Sequence, residues 1–446
     1  MKSHGSQPSL VASSLKRSIA LTLAAVLAAA GLSACRGEDK NTTQNAGGTK
    51  TDVGITKEPC PKSEHKDRGC IYLGIISDLT VGPFHALAVP ITESQKAFWK
   101  RVNTQGGIGG YDIDAETYVR DNKYNPQTHN EVYQEIKGKI LALAQSLGSP
   151  TTAAILPDMK QNNILAAPAA WTSAYAFEDN ILESGANYCF ESMNAVDYAK
   201  DAFKPKTVMA VHLAGDYGDD AAAGAKIAAE KNGFTFIDVK TDSGTDKQAG
   251  AINSIVTQKP DLVIITTGPA DTAAVVGGAA QRGYTGKFIG TSPSWNPGLL
   301  QSPAAPALKA LYLQSAPWKT FTTDSPGHKA MREALGSSIT PNDGYTAGWV
   351  WSYPLLSALK KAQADGDLTR AGLVKAAKSL TKVDYEGMLP DGAGNYAAGV
   401  DGQFRQSLIY NPAGGNGTTV VPLIKDYFVG PTAKDYKLDK PCYEKL

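Results

Sequence analysis

One pattern constrains this chain more than any other. Between Ile71 and Gly290, short and nearly continuous apolar runs alternate with segments of helix length. The first run, Ile71-Tyr72-Leu73-Gly74-Ile75-Ile76-Ser77, reads as a strand covered on both faces. A turn-rich stretch, Asp78 to Phe84, leads to a predicted helix at Ile91–Thr104. Gly106-Gly107 stops it, because glycine takes the left-handed conformation past a helix end at little cost. Strands are predicted at Ile113–Val119, Lys139–Gln145, Ile164–Ala167, Thr207–Leu213, Phe234–Val239, Asp261–Thr266 and Lys287–Gly290. Asn125-Pro126 and Ser149-Pro150 open helices in cap-then-proline manner, and further helices are predicted at Ala195–Phe203, Asp219–Lys231, Asp246–Thr257 and Asp271–Gln281. Helices then dominate, at Ser325–Leu335, Asn342–Ala362 and Thr369–Ser379, before one last strand at Ser407–Tyr410. Strands separated by helices imply parallel sheets with right-handed crossovers. The expected fold is α/β, with two lobes crossed several times. Ligands of open parallel sheets sit outside the strands' carboxyl ends, and two such edges facing each other make a cleft.

The amino-terminal stretch is of another kind. Lys16-Arg17 precede about a dozen small or apolar residues, Ser18 to Ala30, and Leu32-Ser33-Ala34-Cys35 follow. A membrane span needs roughly 20 apolar residues, so this run fits a secretory signal better. Its end resembles the lipobox of bacterial lipoproteins, which implies cleavage after residue 34 and a lipid on Cys35. Residues 35–58 are almost free of apolar side chains and read as a flexible linker off the membrane. Loss of residues 1–34 removes Lys2, Lys16 and Arg17 and takes the formal charge from +1 to −2. That balance points to no nucleic-acid partner. Cys60, Cys70, Cys189 and Cys442 remain, and an even count in an oxidising compartment suggests two disulfides with three possible connectivities. Cys60 and Cys70 flank a short polar loop and form the preferred pair, leaving Cys189 with Cys442.

Signals of catalysis and of bound cofactors are thin. The chain has no Gly-x-Ser-x-Gly elbow, no His-Glu-x-x-His and no P-loop. Ser63-Glu64-His65-Lys66 has Ser-x-x-Lys spacing but precedes the first strand. Asp121-Asn122 lacks further ligands at metal-loop spacing and reads as a loop holder. Gly106–Gly110 follows a helix rather than a strand, which excludes a dinucleotide loop. Of the histidines, only His85 lies near a predicted strand-end loop. No metal, no cofactor and no enzyme activity is expected.

Several stretches are similar to the type 1 periplasmic binding proteins, in particular the branched-chain-amino-acid-binding family of ABC importers. They are Tyr72 to Thr80; Val102-Asn103-Thr104-Gln105-Gly106-Gly107-Ile108-Gly109-Gly110, close to "INAAGGIxG"; Asp121-Asn122 with Asn125-Pro126; Gly215-Asp216-Tyr217-Gly218-Asp219; and Lys259-Pro260-Asp261-Leu262-Val263. The resemblance implies two Rossmann-like lobes with parallel sheets, joined by three hinge crossovers and holding a small molecule between them. It divides the chain into a first part of the N-lobe at 59–190, a C-lobe at 191–317, an N-lobe return at 318–400, and a C-lobe return and tail at 401–446.

On the same resemblance Ser149 binds the ligand's carboxylate, and its predicted place as a helix cap agrees, since free N–H groups and a positive dipole end gather there. Trp171 and Thr172 follow the next strand, and Tyr217 stands at the family's C-lobe aromatic contact. Phe84, Thr151 and Trp295 complete the candidate ligand set. Trp171, Tyr217 and Trp295 sit at predicted strand-end loops or helix starts, where rings can line a cleft or simply pack. Two departures stand out. The loop Thr291-Ser292-Pro293-Ser294-Trp295 has no acid where amino-acid binders carry one for the ammonium group. Gly268-Pro269 occupies the place of their second C-lobe aromatic. The function implied is that of an extracytoplasmic, lipid-anchored solute-binding protein serving an ABC permease in the cytoplasmic membrane. A ligand sensor of the same fold is the alternative.

Overall fold

The computed structural model describes residues 43–44, 48–414 and 423–443. The signal stretch and Cys35 lie outside the described residues. Two sheets organise the chain from Thr49 onward. In the first, Gly69–Ser77 is flanked in parallel by Tyr111–Asp121 and Ala142–Leu147, and Ala166–Ala169 pairs with the latter. Gly69–Ser77 is buried along almost its whole length, as its apolar run requires. Ile71, Leu73 and Ile75 face one core with Phe98, Trp99 and Trp349, whereas Ile76 belongs to another with Tyr133 and Leu143. The first of these cores is closed by the long helices His85–Thr104 and Asp343–Ala364, which pack side by side.

The second sheet has the order Leu423–Phe428, Ser407–Tyr410, Tyr312–Ala316, Lys287–Gly290, Leu262–Thr266, Thr207–Leu213, Thr235–Thr241. Its five strands from Tyr312–Ala316 to Thr235–Thr241 are parallel, the arrangement predicted for the four of them that the sequence revealed. Ser407–Tyr410 and Leu423–Phe428 instead run antiparallel, so the sheet is parallel only in part. The chain passes between the two sheets three times, through residues 170–187, 317–325 and 379–406. Among the described residues, no helix is long and apolar enough to cross a membrane.

Several expectations need correction. The polar stretch predicted to stay loose as far as Glu58 is tied down earlier: Lys50–Thr51 pairs with Asp367–Leu368, and Ile55–Thr56 with Cys70–Ile71. Backbone pairing fixes it, which a composition poor in apolar residues does not reveal. The strand Tyr312–Ala316 escaped prediction because helix Ala305–Leu311 runs straight into it, with no glycine or proline between them. The helix predicted from Ala195 begins at Tyr188, where Asn187 accepts the N–H of Phe190 at 2.9 Å.

Both expected disulfides are present, Cys60–Cys70 and Cys189–Cys442. Asp121 and Asn122 hold their loop as expected. Asp121 accepts the backbone N–H groups of Leu79 and Lys123, and Asn122 that of Tyr124.

Candidate ligand-binding cleft

The two sheets turn their carboxyl ends toward one cavity, which leaves about 890 Å³ of space free of protein atoms, mouth included. Each strand delivers its wall residues through the loop that follows it. After Gly69–Ser77, Asp78 accepts the N–H groups of Gly82 at 2.8 Å and Phe84 at 2.9 Å, and this folded loop fixes the Phe84 ring at the cavity. After Ala142–Leu147 comes Gly148 with φ 95°, a conformation that favours glycine. Gly148 takes the cap position of the short helix Ser149–Ala153, so Ser149 is its first helical residue and not the cap predicted from sequence. The Ser149 hydroxyl is buried without a hydrogen-bond partner and lines the cavity.

Five of the seven candidate ligand residues meet there: Phe84, Ser149, Trp171, Tyr217 and Trp295. Thr151 and Thr172 do not line the cavity. The Thr151 hydroxyl donates to the carbonyls of Leu147 and Gly148, and Thr172 caps the short turn Ser173–Phe177, accepting the N–H of Ala174. Both serve the backbone of the loop that carries their neighbour. His85 is exposed and donates to or accepts from nothing in the cavity; its Nδ1 lies 2.8 Å from the Gly82 carbonyl. The Ser63 hydroxyl donates to Asp112, and Lys66 donates to the Ser63 carbonyl, so this Ser-x-x-Lys spacing holds a loop together.

Sequence reasoning missed much of the wall. Trp318 follows the unpredicted strand, Tyr188 opens the unpredicted helix turn, and Tyr124, Trp351 and Tyr410 lie outside the candidate ligand set. Among the described residues, nine aromatic side chains line the cavity and no Lys, Arg or His does. Seven of them form a continuous chain of rings. Tyr124 and Phe84 lie 4.8 Å apart between centroids, Phe84 and Tyr217 5.9 Å, and Tyr217 and Tyr188 4.7 Å. Tyr188 then meets Trp171 at 5.9 Å, and Trp171 meets Trp351 at 4.6 Å and Trp318 at 5.1 Å. Most of these pairs are edge-on or tilted, the arrangement that ring quadrupoles favour. The Phe84–Tyr217 pair joins the two lobes. Trp295 stacks on Tyr312, and its indole N–H has no partner. Trp171 donates its indole N–H to the Ser184 carbonyl at 2.6 Å and is thereby held in place.

Two further contacts cross the cleft. Pro90 lies inside helix His85–Thr104 and lacks the N–H that would bond the Ala86 carbonyl. That carbonyl accepts the side-chain amide of Asn296 from the other lobe, at 3.2 Å. A Cβ at Gly268 would stand 3.1 Å from the Pro83 carbonyl oxygen, so no aromatic ring fits where the resemblance placed one.

The loop that lacks the expected acid has one behind it. Glu191, fully buried, accepts the N–H of Ser292 at 2.9 Å, and burial holds its carboxyl well above the usual carboxylate range. It braces the Thr291–Trp295 loop from the side away from the cavity.

Two α/β lobes whose strand ends face one ring-lined cavity have the architecture of a solute-binding protein. The chain belongs to the periplasmic binding proteins: the model of that family matches residues 71–410. Among solved structures, a fatty acid ABC transporter substrate-binding protein from Thermomonospora curvata is 28% identical, with a TM-score of 0.79 over 88% of this chain and 98% of its own. A branched-chain amino acid ABC transporter protein from Thermus thermophilus, with bound valine, shares the fold at 16% identity and a TM-score of 0.70, covering 82% of this chain and 98% of its own. A solute-binding protein from R. palustris in complex with benzoate does so at 16% identity and a TM-score of 0.65, over 82% and 99%. No curated protein matches the sequence.

Proposed function

We propose that this protein is the lipid-anchored, extracytoplasmic receptor of an ABC importer, capturing a small and largely apolar molecule by hinge closure and handing it to the membrane permease. The observation that carries the ligand class is the wall itself: among the described residues, nine aromatic side chains, no cation, and a single carboxylate, Asp343. Burying apolar surface stabilises a complex by about 25 cal/mol per Å², and rings of this size supply most of it. A free amino acid finds no such match. Its ammonium group has no acid in the Thr291–Trp295 loop, Glu191 behind that loop is committed to the Ser292 N–H, and the wall's carboxylate, Asp343, belongs to another element. The fatty acid named for the Thermomonospora curvata protein supports the same class.

Ligand-dependent melting against a panel of alkanoic acids, aromatic acids and amino acids tests this reading. Apolar acids are expected to raise the midpoint, and valine and leucine to leave it where it is. Stabilisation by valine with none by the apolar acids would overturn it.

A further inference from the structure

Ser149, Ser292, Gln314, Thr320 and Asp343 all bring polar side chains to the wall, and two of them, Ser149 and Asp343, stand apart. Asp343 opens helix Asp343–Ala364, and Ala347 and Trp351 of the same helix line the same wall. Eight residues at 1.5 Å rise put Asp343 and Trp351 roughly 12 Å apart along the helix axis. Trp351 packs on Trp171, and Trp171 follows the strand paired with the one that leads into Ser149. Ser149 therefore shares the Trp351 end of the cavity, and Asp343 the other, with aromatic walls between.

The two ends differ in what they ask of a ligand. At the Ser149 end stand an unpartnered hydroxyl and, in the adjoining wall, the unpartnered indole N–H of Trp351, both able to donate. At the far end the only ionisable acid is Asp343. Among the described residues its carboxylate makes one hydrogen bond, Oδ1 accepting the N–H of Phe321 at 2.9 Å. That N–H comes from the 317–325 crossover, and the Tyr410 phenol faces Asp343 from strand Ser407–Tyr410. Among the described residues no Lys, Arg or His at the cavity wall neutralises it. Burial lifts its carboxyl to about 6, as an unpaired acid in an apolar wall should be. Half-buried in an apolar wall, a carboxylate with unfilled acceptor capacity is costly unless a donor reaches it.

Resting on the apolar-ligand reading above, we propose that the ligand is elongated with two polar ends, and that the end at Asp343 brings a hydrogen-bond donor, a hydroxyl or an amine. The body between the ends is apolar and lies along the ring wall. A carboxylate at the Asp343 end meets a like charge and binds only when one proton is shared between the two acids.

Titration calorimetry with decanoic acid, 10-hydroxydecanoic acid and decanedioic acid, on protein stripped of co-purified ligand, tests the proposal. In the unmutated protein near pH 7.5 the hydroxy acid should bind at least about tenfold more tightly than decanoic acid, the scale of a hydrogen bond to a charged group. The diacid should be the weakest at about pH 8 and gain roughly tenfold per pH unit down to about pH 6, taking up one proton per ligand. Asp343→Leu should bring the hydroxy acid down to the level of decanoic acid. Asp343→Asn keeps an acceptor for the Phe321 N–H and should abolish the pH dependence of the diacid. Decanoic acid binding as tightly as the hydroxy acid, or a diacid affinity independent of pH, would overturn the proposal while leaving the apolar-ligand reading standing. If none of the three probes binds, that reading fails and the proposal with it.

Discussion

The contact between Phe84 and Tyr217 offers a direct measure of how the lobes close. Phe84 hangs from the N-lobe loop folded by Asp78, and Tyr217 stands in the first turn of the C-lobe helix Asp216–Lys231, their centroids 5.9 Å apart. Tyr217 also packs on Tyr188 and bonds the Thr291 hydroxyl at 2.9 Å, but those partners belong to its own lobe and stay with it whether the cleft is open or shut. The Phe84 pair spans the lobes and is the Tyr217 ring pair that the proposed closure would make or break; an aromatic pair of this kind is worth about 0.5–1.5 kcal/mol beyond its area. Tyr217→Ala should weaken an apolar ligand by about 1–3 kcal/mol, most of it lost direct contact. In a double-mutant cycle with Phe84→Ala, the coupling in binding free energy should then be about 0.5–1.5 kcal/mol. Calorimetry gives the affinities, and solution scattering gives the fraction closed. Running the same cycle on ligand-free protein separates ring-to-ring contact from contact through the ligand. Additivity within about 0.3 kcal/mol, together with unchanged scattering, would refute the idea that this pair helps to hold the lobes together.

Other expectations are more local. Cys35→Ala should abolish incorporation of a fatty-acid probe, and equal labelling of the mutant would remove the anchor. Replacing Cys189 and Cys442 together with serine opens a cross-link over 253 residues. In the chain-entropy model the cost is up to about 5 kcal/mol, and an unshifted denaturation midpoint would contradict it. His129 is buried between Asn122 and Ser146, and desolvation lowers its pKa to about 3. The unfolded chain therefore binds a proton below its ordinary value near 6.5 that the folded one refuses, and stability falls as pH drops through that range. His129→Asn should flatten the acid limb by about 1.4 kcal/mol per pH unit between about pH 6 and pH 4, measured by urea titration; an identical slope would show that His129 is not the group responsible.

Much of this architecture was legible because periodicity and punctuation reported backbone constraints. The apolar run Ile71–Ser77 had to be covered on both faces, and Asn125-Pro126 could hardly avoid opening a helix; Asn125 does accept the N–H of Thr128 at 2.9 Å. The failures have equally local causes. Tyr312–Ala316 was hidden because nothing breaks the chain between it and the preceding helix, and with it went Trp318, which the strand aims at the cavity. Ser149 was placed in the right loop for a reason that was only half right: Gly148 does the capping, and the serine hydroxyl is left over for the cleft. Asp343 carried no signal at all. It reads as an acid in the first turn of a helix, favourable there for the dipole, and only the fold shows that its other neighbour is an aromatic wall.

The near approach of Gly268 to Pro83 has a mechanical consequence. With hydrogen alone at position 268, a peptide oxygen of the opposite lobe comes within 3.1 Å of where a side chain would begin. Under the proposed hinge closure the absent side chain would act as the end-stop, its size setting the angle at which the jaws come to rest. Alanine there asks the oxygen to yield by a few tenths of an ångström; valine or phenylalanine cannot be seated without prising the jaws apart. A graded series at this one position would act as a set of shims, each holding the molecule at a chosen aperture so that the dependence of permease recognition on jaw angle could be read one step at a time.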